Sequence, residues 1–326
     1  MSLKKAAAFL KSRNNFLITT HTNMEGDALG SALSLYKLLK ALGKNASVMN
    51  EDTVPYEYSF LPEVSAVRRF NKKNSRAVKF DCLAAVDCSD LKRTGEVYTL
   101  NKDNKPVLNI DHHVSNVYFG SVNWVDPTAS SCSQMIYELY KKCGVPIDMD
   151  SALLLYVGIV TDTGSFRYSN TSSKTHRIVA DLLKYKFDIP QIYKRIYENV
   201  PFQDMKLLSA VLPTIKRELG GKLVWYEIKK ELLRKQKDIS FDLTEHILTF
   251  ARSIKGVEAA ILFKENLKQQ DEIRVNFRSQ GKVDVNEAAK FFGGGGHRTA
   301  SGCTVKGKLQ DVRKQVLRKL RRAFRK

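Results

Sequence analysis

Along the first half of the chain, short apolar runs alternate with longer stretches of helical periodicity. Residues 16–20 form a brief apolar, β-branched run that gives way to a polar loop. From 28 to 42, Leu29, Leu33, Tyr36 and Leu39 recur at helical spacing until Gly43 stops the pattern. Further strands are predicted at 46–49, 82–86 and 107–110. A helix is predicted at 131–142, with Ser130 or Ser131 as its N-cap. Residues 152–160 are apolar on nearly every side and read as a buried helix, and the first residues read as an amphipathic helix. Strands alternating with helices predict an α/β domain, its mostly parallel sheet covered by helices on both faces.

The pattern changes near residue 185. A polar helical stretch at 189–211 reads as a connector, and the Gly220-Gly221 pair signals a turn before a strand at 223–228. Strands at 257–263 and 273–277, a helix at 285–292, a glycine-rich loop, a short strand at 303–305 and a basic terminal helix follow. These make a second, smaller α/β unit. The expected organisation is a first domain at 1–185, a helical connector at 186–215 and a second domain at 216–326. A length of 326 residues, at ~100–200 per domain, agrees with two domains.

Composition excludes several classes. No apolar run approaches the ~20 residues that span a bilayer, and the apolar patch after the first lysines is too brief for a signal-peptide core. A cytoplasmic protein without membrane contact is expected. Cys82, Cys88, Cys132, Cys143 and Cys303 are scattered without a C-x-x-C pair, which argues against a disulfide framework or zinc ribbon and for small buried side chains. The net charge of +20 draws polyanions, although charge alone leaves a polyanionic partner and a solubility device equally open.

Four polar clusters stand directly after apolar segments. They are HTNMEGD at 21–27, Asp87 after 83–86, Asp111-His112-His113 after 107–110, and Asp162 within GIVTDTGSF at 158–166. The carboxyl ends of strands form the ligand crevice of open α/β sheets, so three clusters can converge there and the fourth can reach the same point from a helix end. Carboxylates with neutral imidazoles suit Mn²⁺, Mg²⁺ or Fe²⁺. His21, Glu25, Asp27, Asp87, His112 and Asp162 exceed what one ion needs, whereas two ions ~3.5–4 Å apart would use them all. Taken singly, an Asp after a strand is more often a cap or turn residue. Four clusters at equivalent positions are hard to obtain from capping. His176 and His246 lie in helical segments and read as structural.

In the second unit, Gly293-Gly294-Gly295-Gly296-His297-Arg298 is either a flexible linker or a nest of bare amides for an anion. It lacks the Lys-Ser/Thr of a Walker loop. Arg278, ending the 273–277 strand, is a second phosphate-binding candidate. The basic end at 312–326 reads as a docked helix with a solvated basic face, or as a face that attracts RNA.

Together these motifs resemble the DHH phosphoesterases, named for the triplet seen here at 111–113. The clusters HTNMEGD, VDCSD, DHH and GIVTDTGSF occur in that family's order, and VNFRSQGKVDVNEAAKFFGGGGHRTASG at 275–302 is similar to the accompanying DHHA1 domain. The compact layout is similar to the NrnA-type members, which implies an Mn²⁺-dependent oligoribonuclease (nanoRNase) and 3′-phosphoadenosine 5′-phosphate phosphatase, monomeric or homodimeric, acting on very short RNA. The resemblance implies one ion on His21, Glu25 and Asp87, and another on Asp27, Asp87, His112 and Asp162. It further implies His113 facing the scissile phosphate, Asp111 orienting the imidazoles, and Arg278, His297 and the glycine amides gripping substrate across an interdomain cleft. Glu25 departs from the family's usual Asp, which alters the geometry expected at the first ion. The alternative within the class is hydrolysis of cyclic dinucleotides or their linear products. A RecJ-like exonuclease lacks its extra DNA-binding domains here, an inorganic pyrophosphatase lacks the glycine-rich module, and a non-catalytic nucleic-acid binder has no use for so many carboxylates.

Overall fold

The computed structural model describes residues 2–71, 78–235, 243–267 and 269–324; Arg325 and Lys326 of the basic end lie outside them. Two compact units divide the chain, Met1–Asn199 and Val200–Lys326. No helix among the described residues is long and apolar enough to cross a membrane.

The first unit carries a six-stranded sheet built from β1 (Asn15–Thr19), β2 (Asn45–Asn50), β3 (Val67–Arg69), β4 (Cys82–Val86), β5 (Val107–Asp111) and β6 (Val122–Val125). Their order is β3-β2-β1-β4-β5-β6 and every pairing is parallel. Strand order reverses between β1 and β4, so the crevice for a ligand opens at their carboxyl ends. The period-2 alternation of a strand sorts the side chains. Phe16, Ile18, Cys82, Ala84, Val86, Leu108 and Ile110 join the large core, whereas Leu17, Leu83, Val107 and Met49 join a smaller one with Phe80 and Val97. The large core also takes side chains from α1 (Leu3–Ser12), α2 (Gly26–Ala41), α3 (Cys132–Cys143), α4 (Met149–Asp162), α5 (Ser173–Leu182) and α6 (Ile189–Tyr197). The short strands β3 and β6 have no counterpart in the sequence reading. Three or four residues are too few to show an alternation.

Ser131 is the N-cap of α3, its side chain accepting from the Gln134 amide, and Asp148 caps α4 in the same way on Ser151. The crossing of α2 with α4 depends on glycine. A Cβ on Gly30 would lie 2.5 Å from the Leu154 carbonyl oxygen, and one on Gly26 would lie 2.5 Å from the Thr161 side chain. The first turn of α2 is thereby seated against the last turn of α4, which brings Asp27 and Asp162 to one end of the pair.

In the second unit, α7 (Phe202–Val211) precedes β7 (Lys216–Glu218), β8 (Leu223–Ile228), α8 (Lys230–Lys235), α9 (Thr244–Ser253), β9 (Ala259–Glu265), β10 (Glu272–Ser279), α10 (Val285–Phe291), β11 (Gly295–Gly296), β12 (Ala300–Lys306) and α11 (Leu309–Ala323). The sheet runs β11-β12-β10-β9-β8-β7, antiparallel except between β8 and β9. Ala259, Ile261 and Phe263 of β9 pack in one core with α10 and α11, and Ala260 and Leu262 in another with α7 and α9. The single helix read at 189–211 is two helices, α6 and α7. Pro201 stands at the N-cap of α7 in extended conformation, and a proline disfavours helix in the residue before it.

The glycine contact makes a testable claim. Gly30→Ala should destabilise the protein by about 1–3 kcal/mol, because overpacking against a backbone carbonyl outweighs the ~1 kcal/mol that alanine gains in helix propensity. Denaturant unfolding measures it, and a variant as stable as the parent would show that α2 and α4 can move apart freely.

Candidate active site

The crevice at the ends of β1, β4 and β5 gathers the polar residues that follow those strands. His21 lies just past β1, Asp87 directly follows β4, Asp111 ends β5, and His112 and His113 continue from it. Asp27 arrives from the first turn of α2 and Asp162 from the last residue of α4. His112 is the hub. Its Nε2 lies 3.5 Å from Asp162 Oδ2, 3.6 Å from Asp87 Oδ1 and 3.9 Å from Asp27 Oδ2. Its Nδ1 lies 3.2 Å from the Ala129 carbonyl, which orients the ring. His21 Nε2 is 3.5 Å from Asp87 Oδ2, with its Nδ1 2.7 Å from the Thr22 carbonyl. Five of these side chains, His21, Asp27, Asp87, His112 and His113, are nearly inaccessible, and Asp111 is wholly buried.

Each carboxylate is met differently. Asp27 sits on the N-terminus of α3, where the backbone amides of Cys132 and Ser133 donate to its two oxygens at 2.6 and 2.8 Å. These are amides that no helical carbonyl can satisfy, and the helix end favours negative charge. Asp111 Oδ1 lies 2.7 Å from His113 Nδ1, and its Oδ2 accepts from Asn116 at 2.6 Å. Asp162 accepts from Asn170 at 3.3 Å. Asp87 is the exception. Its backbone adopts φ +56°, a left-handed conformation that Asp tolerates better than most residues, and its Oδ1 is buried without a hydrogen-bond partner.

The electrostatics follow from this crowding. Burial opposes charge on His112, yet the carboxylates of Asp162, Asp87 and Asp27 raise its pKa to about 9. Burial, with Asp87 nearby, raises Asp27 to about 7, against the pull of His112 and the Ser133 amide. Burial likewise pushes Asp162 well above the carboxylate range. Against its own burial, Asp87 is held below that range by His21, His113 and His112. A buried carboxylate oxygen lacking a donor, amid further carboxylates and imidazoles, is a place for a cation. Oxygen and nitrogen donors of this kind fit a hard or borderline divalent ion.

The sequence-predicted residues are not all placed alike. His21, Asp27, Asp87, Asp111, His112, His113 and Asp162 come together. Glu25 is exposed just ahead of α2 and belongs to none of the groups whose donor atoms lie within 4.8 Å of one another. In the second unit Arg278 is largely buried and paired with Glu245, its Nη2 2.6 Å and its Nε 3.0 Å from Oε2. Both readings of the glycine run need correction. Gly293 and Gly294 donate their amides to the Lys290 and Ala289 carbonyls, His297 donates to Ala300, and Gly295 and Gly296 pair with β12. The run is therefore neither a loose linker nor a nest of bare amides. Gly294 is required for closeness, since a Cβ there would lie 2.1 Å from the Gly302 carbonyl oxygen. His297 is half-buried in the turn that follows, and Arg298 is exposed.

Two participants escaped the sequence reading. Cys132 offers its thiol to the same group as Asp27, Asp87 and His112. Arg93 bonds Ser89 at 3.2 Å through its side chain, and its positive charge is felt at His21. The Ser-Ser-Cys-Ser run at 130–133 did mark a helix start, the available signal that amides would be presented there.

A model of the DHH family, N-terminal domain, matches residues 15–159, and one of the DHHA1 domain matches 221–326. The "Bifunctional oligoribonuclease and PAP phosphatase NrnA" of Thermus thermophilus is 31% identical over 305 residues, covering 93% of this chain and 88% of that protein. The chain belongs to the DHH phosphoesterase family. The protein of the same name from Bacillus subtilis is 30% identical over 295 residues, 90% of either chain. The crystal structure of an exopolyphosphatase-related protein from Bacteroides fragilis has a TM-score of 0.87 at 26% identity, covering 99% of this chain and 97% of that one. Asp162, in the crowded group, lies just beyond the residues matched by the first family model.

The protonated cluster makes the metal-stripped protein sensitive to pH. His112 is raised above its unfolded value of ~6.5, so its stabilisation is present below that pH and lost as pH rises towards 9. Asp27, raised to about 7, acts in the same sense between the ordinary carboxylate range and neutrality. Thermal unfolding of metal-stripped protein should give a melting point that falls between pH 6.5 and 9. Stabilisation by an added divalent ion should grow over the same interval, because the ion displaces these protons. A metal effect independent of pH would contradict this account.

Proposed function

We propose that this cluster holds two divalent ions, Mn²⁺ by preference, and that the protein hydrolyses very short RNA oligonucleotides and 3′-phosphoadenosine 5′-phosphate. The observation that carries the reading is His112 within 3.9 Å of three carboxylates, with Asp87 Oδ1 left buried and without a donor. The names of the curated relatives support the substrate class. His21, Glu25 and Asp87 would hold one ion and Asp27, Asp87, His112 and Asp162 the other, Asp87 being shared. Glu25, exposed, is the outermost of this set. Bound there, the ions supply an activated water and neutralise charge on the phosphoryl oxygens.

The protein's own groups do the rest. Asp111 holds His113 at Nδ1, so that His113 addresses the scissile phosphate through its other nitrogen and stabilises the charge developing there. The amides at the start of α3 keep Asp27 oriented as a ligand, and the Ala129 carbonyl does the same for His112. Arg278 and His297 of the second unit hold the substrate's far phosphate or terminal nucleotide, for which Arg278 exchanges Glu245 for the ligand. Five free cysteines fit work in a reducing cytoplasm.

Asp87→Ala and His112→Ala should each lower Mn²⁺-dependent turnover by a factor of at least ~10³ while leaving the circular dichroism spectrum unchanged. The substrates are RNA di- to pentanucleotides, 3′-phosphoadenosine 5′-phosphate and linear dinucleotides from cyclic precursors. Substantial turnover in either variant would refute the metal assignment, and a panel in which only the last group is cut would replace the substrate assignment. His297→Ala and Arg278→Ala should chiefly raise KM, by about tenfold, with a smaller loss in kcat. An unchanged KM would remove the second unit from substrate binding.

A further inference from the structure

The second unit carries a groove of about 570 Å³ that shares no residue with Arg278 or His297. One wall is α11 and the other is β7 with its neighbour β8. Lys216, Arg313, Lys314, Arg318 and Arg321 line it, against the single carboxylate of Glu218. Glu218 is engaged by Arg321 at 2.8 Å, and Arg313 is engaged by Glu227 at 2.6 Å. Among the described residues, Lys216, Lys314 and Arg318 make no ion pair, and all three are exposed. Lys314, Arg318 and Arg321 follow one another at i, i+4 and i+7, so they form a row along one face of α11. The opposite face is anchored in the core by Val312, Val316 and Leu320. The row is therefore held in place by packing.

The floor supplies an aromatic ring. Trp225 of β8 is half-buried, stacked edge-on to Phe263, and the Arg313 guanidinium lies 5.2 Å from its ring centroid. A row of cations, two of them unpaired, beside a planar guanidinium and an indole is the combination that binds single-stranded nucleic acid, cations to the backbone and flat groups to the bases. β7 is the edge strand of its sheet, so Lys216 reaches the groove from the side opposite α11. The overall charge of +20 brings polyanions to the surface, and in this groove unpaired cations surround a concavity.

We propose that the groove between α11 and the β7–β8 edge is a binding site for single-stranded nucleic acid, separate from the residues assigned to the short substrate. It retains a strand by backbone charge and stacking and performs no chemistry. This inference stands whether or not the substrate assignment does, because it is read by binding alone.

The test is fluorescence anisotropy of a labelled RNA strand of about twelve nucleotides against the full chain in chelator, over a salt series. Charge reversal in the double variant Lys314→Glu/Arg318→Glu should weaken affinity at least about tenfold and reduce the salt slope by roughly 1.4, the share of two phosphates. Lys216→Gln, on the other wall, should weaken binding by severalfold, and Trp225→Leu should weaken it without changing the slope. Dinucleotide turnover should be unchanged in the Lys314→Glu/Arg318→Glu variant. Unaltered strand affinity and slope in that variant would overturn the proposal, as would a loss of dinucleotide turnover matching the loss of binding. Binding to phosphatidylserine vesicles in place of the RNA strand would overturn it too.

Discussion

Three carboxylates crowd one imidazole in a volume that water barely enters, and most of the first unit can be understood as a means of tolerating them. An unpaired buried charge costs several kcal/mol, and like charges at this spacing add to the cost. The fold meets the cost piecemeal. Asp27 receives two amides from α3, Asp111 receives His113 and Asn116, and Asp162 receives Asn170. What remains is Asp87 Oδ1, and a cation is the simplest group that answers an oxygen so placed. The sheet's reversal of strand order, the glycine-seated crossing of α2 on α4 and the capped start of α3 all deliver groups to that point.

Rigidity follows from the same construction. Asp27 and Asp162 are fixed by a helix crossing that has no room to slide, and His112 and His113 extend directly from a central strand. A metal arriving at such a centre finds its ligands already arranged, so little ordering cost falls on binding. Glu25 stands apart from this economy. Exposed at the entrance of α2 and one methylene longer than aspartate, it is free to rearrange when the buried members are not.

Much of this centre was legible because each of its strands ends abruptly in polar residues, and the carboxyl ends of parallel strands must lie side by side. Asp87 and the triplet at 111–113 announce themselves in that way. Cys132 and the α3 amides did not, since backbone donors have no residue identity and a thiol without a paired partner reads as filler. The glycine run shows the opposite failure. Four glycines permit many conformations, and sequence could not show that β12 would claim two of them and the end of α10 the other two. The break before α7 was written in Pro201, but the amphipathic pattern on either side of it masked the interruption.

Charge links the two units without any reference to their placement. A strongly basic chain attracts polyanions from solution, yet the centre that would cut them is, without metal, a knot of carboxylates that repels phosphate. Protons relieve part of that repulsion, as the raised pKa of Asp27 and of His112 shows, but a protonated carboxylate is a poor ligand and a charged imidazole is none. Metal therefore does two things that protons cannot do together: it leaves the carboxylates ionised beside neutral imidazoles and turns the local field towards phosphate. Attraction over the surface and attraction at the centre have separate origins. They respond differently to salt, because surface cations are screened within a Debye length whereas the buried centre is not.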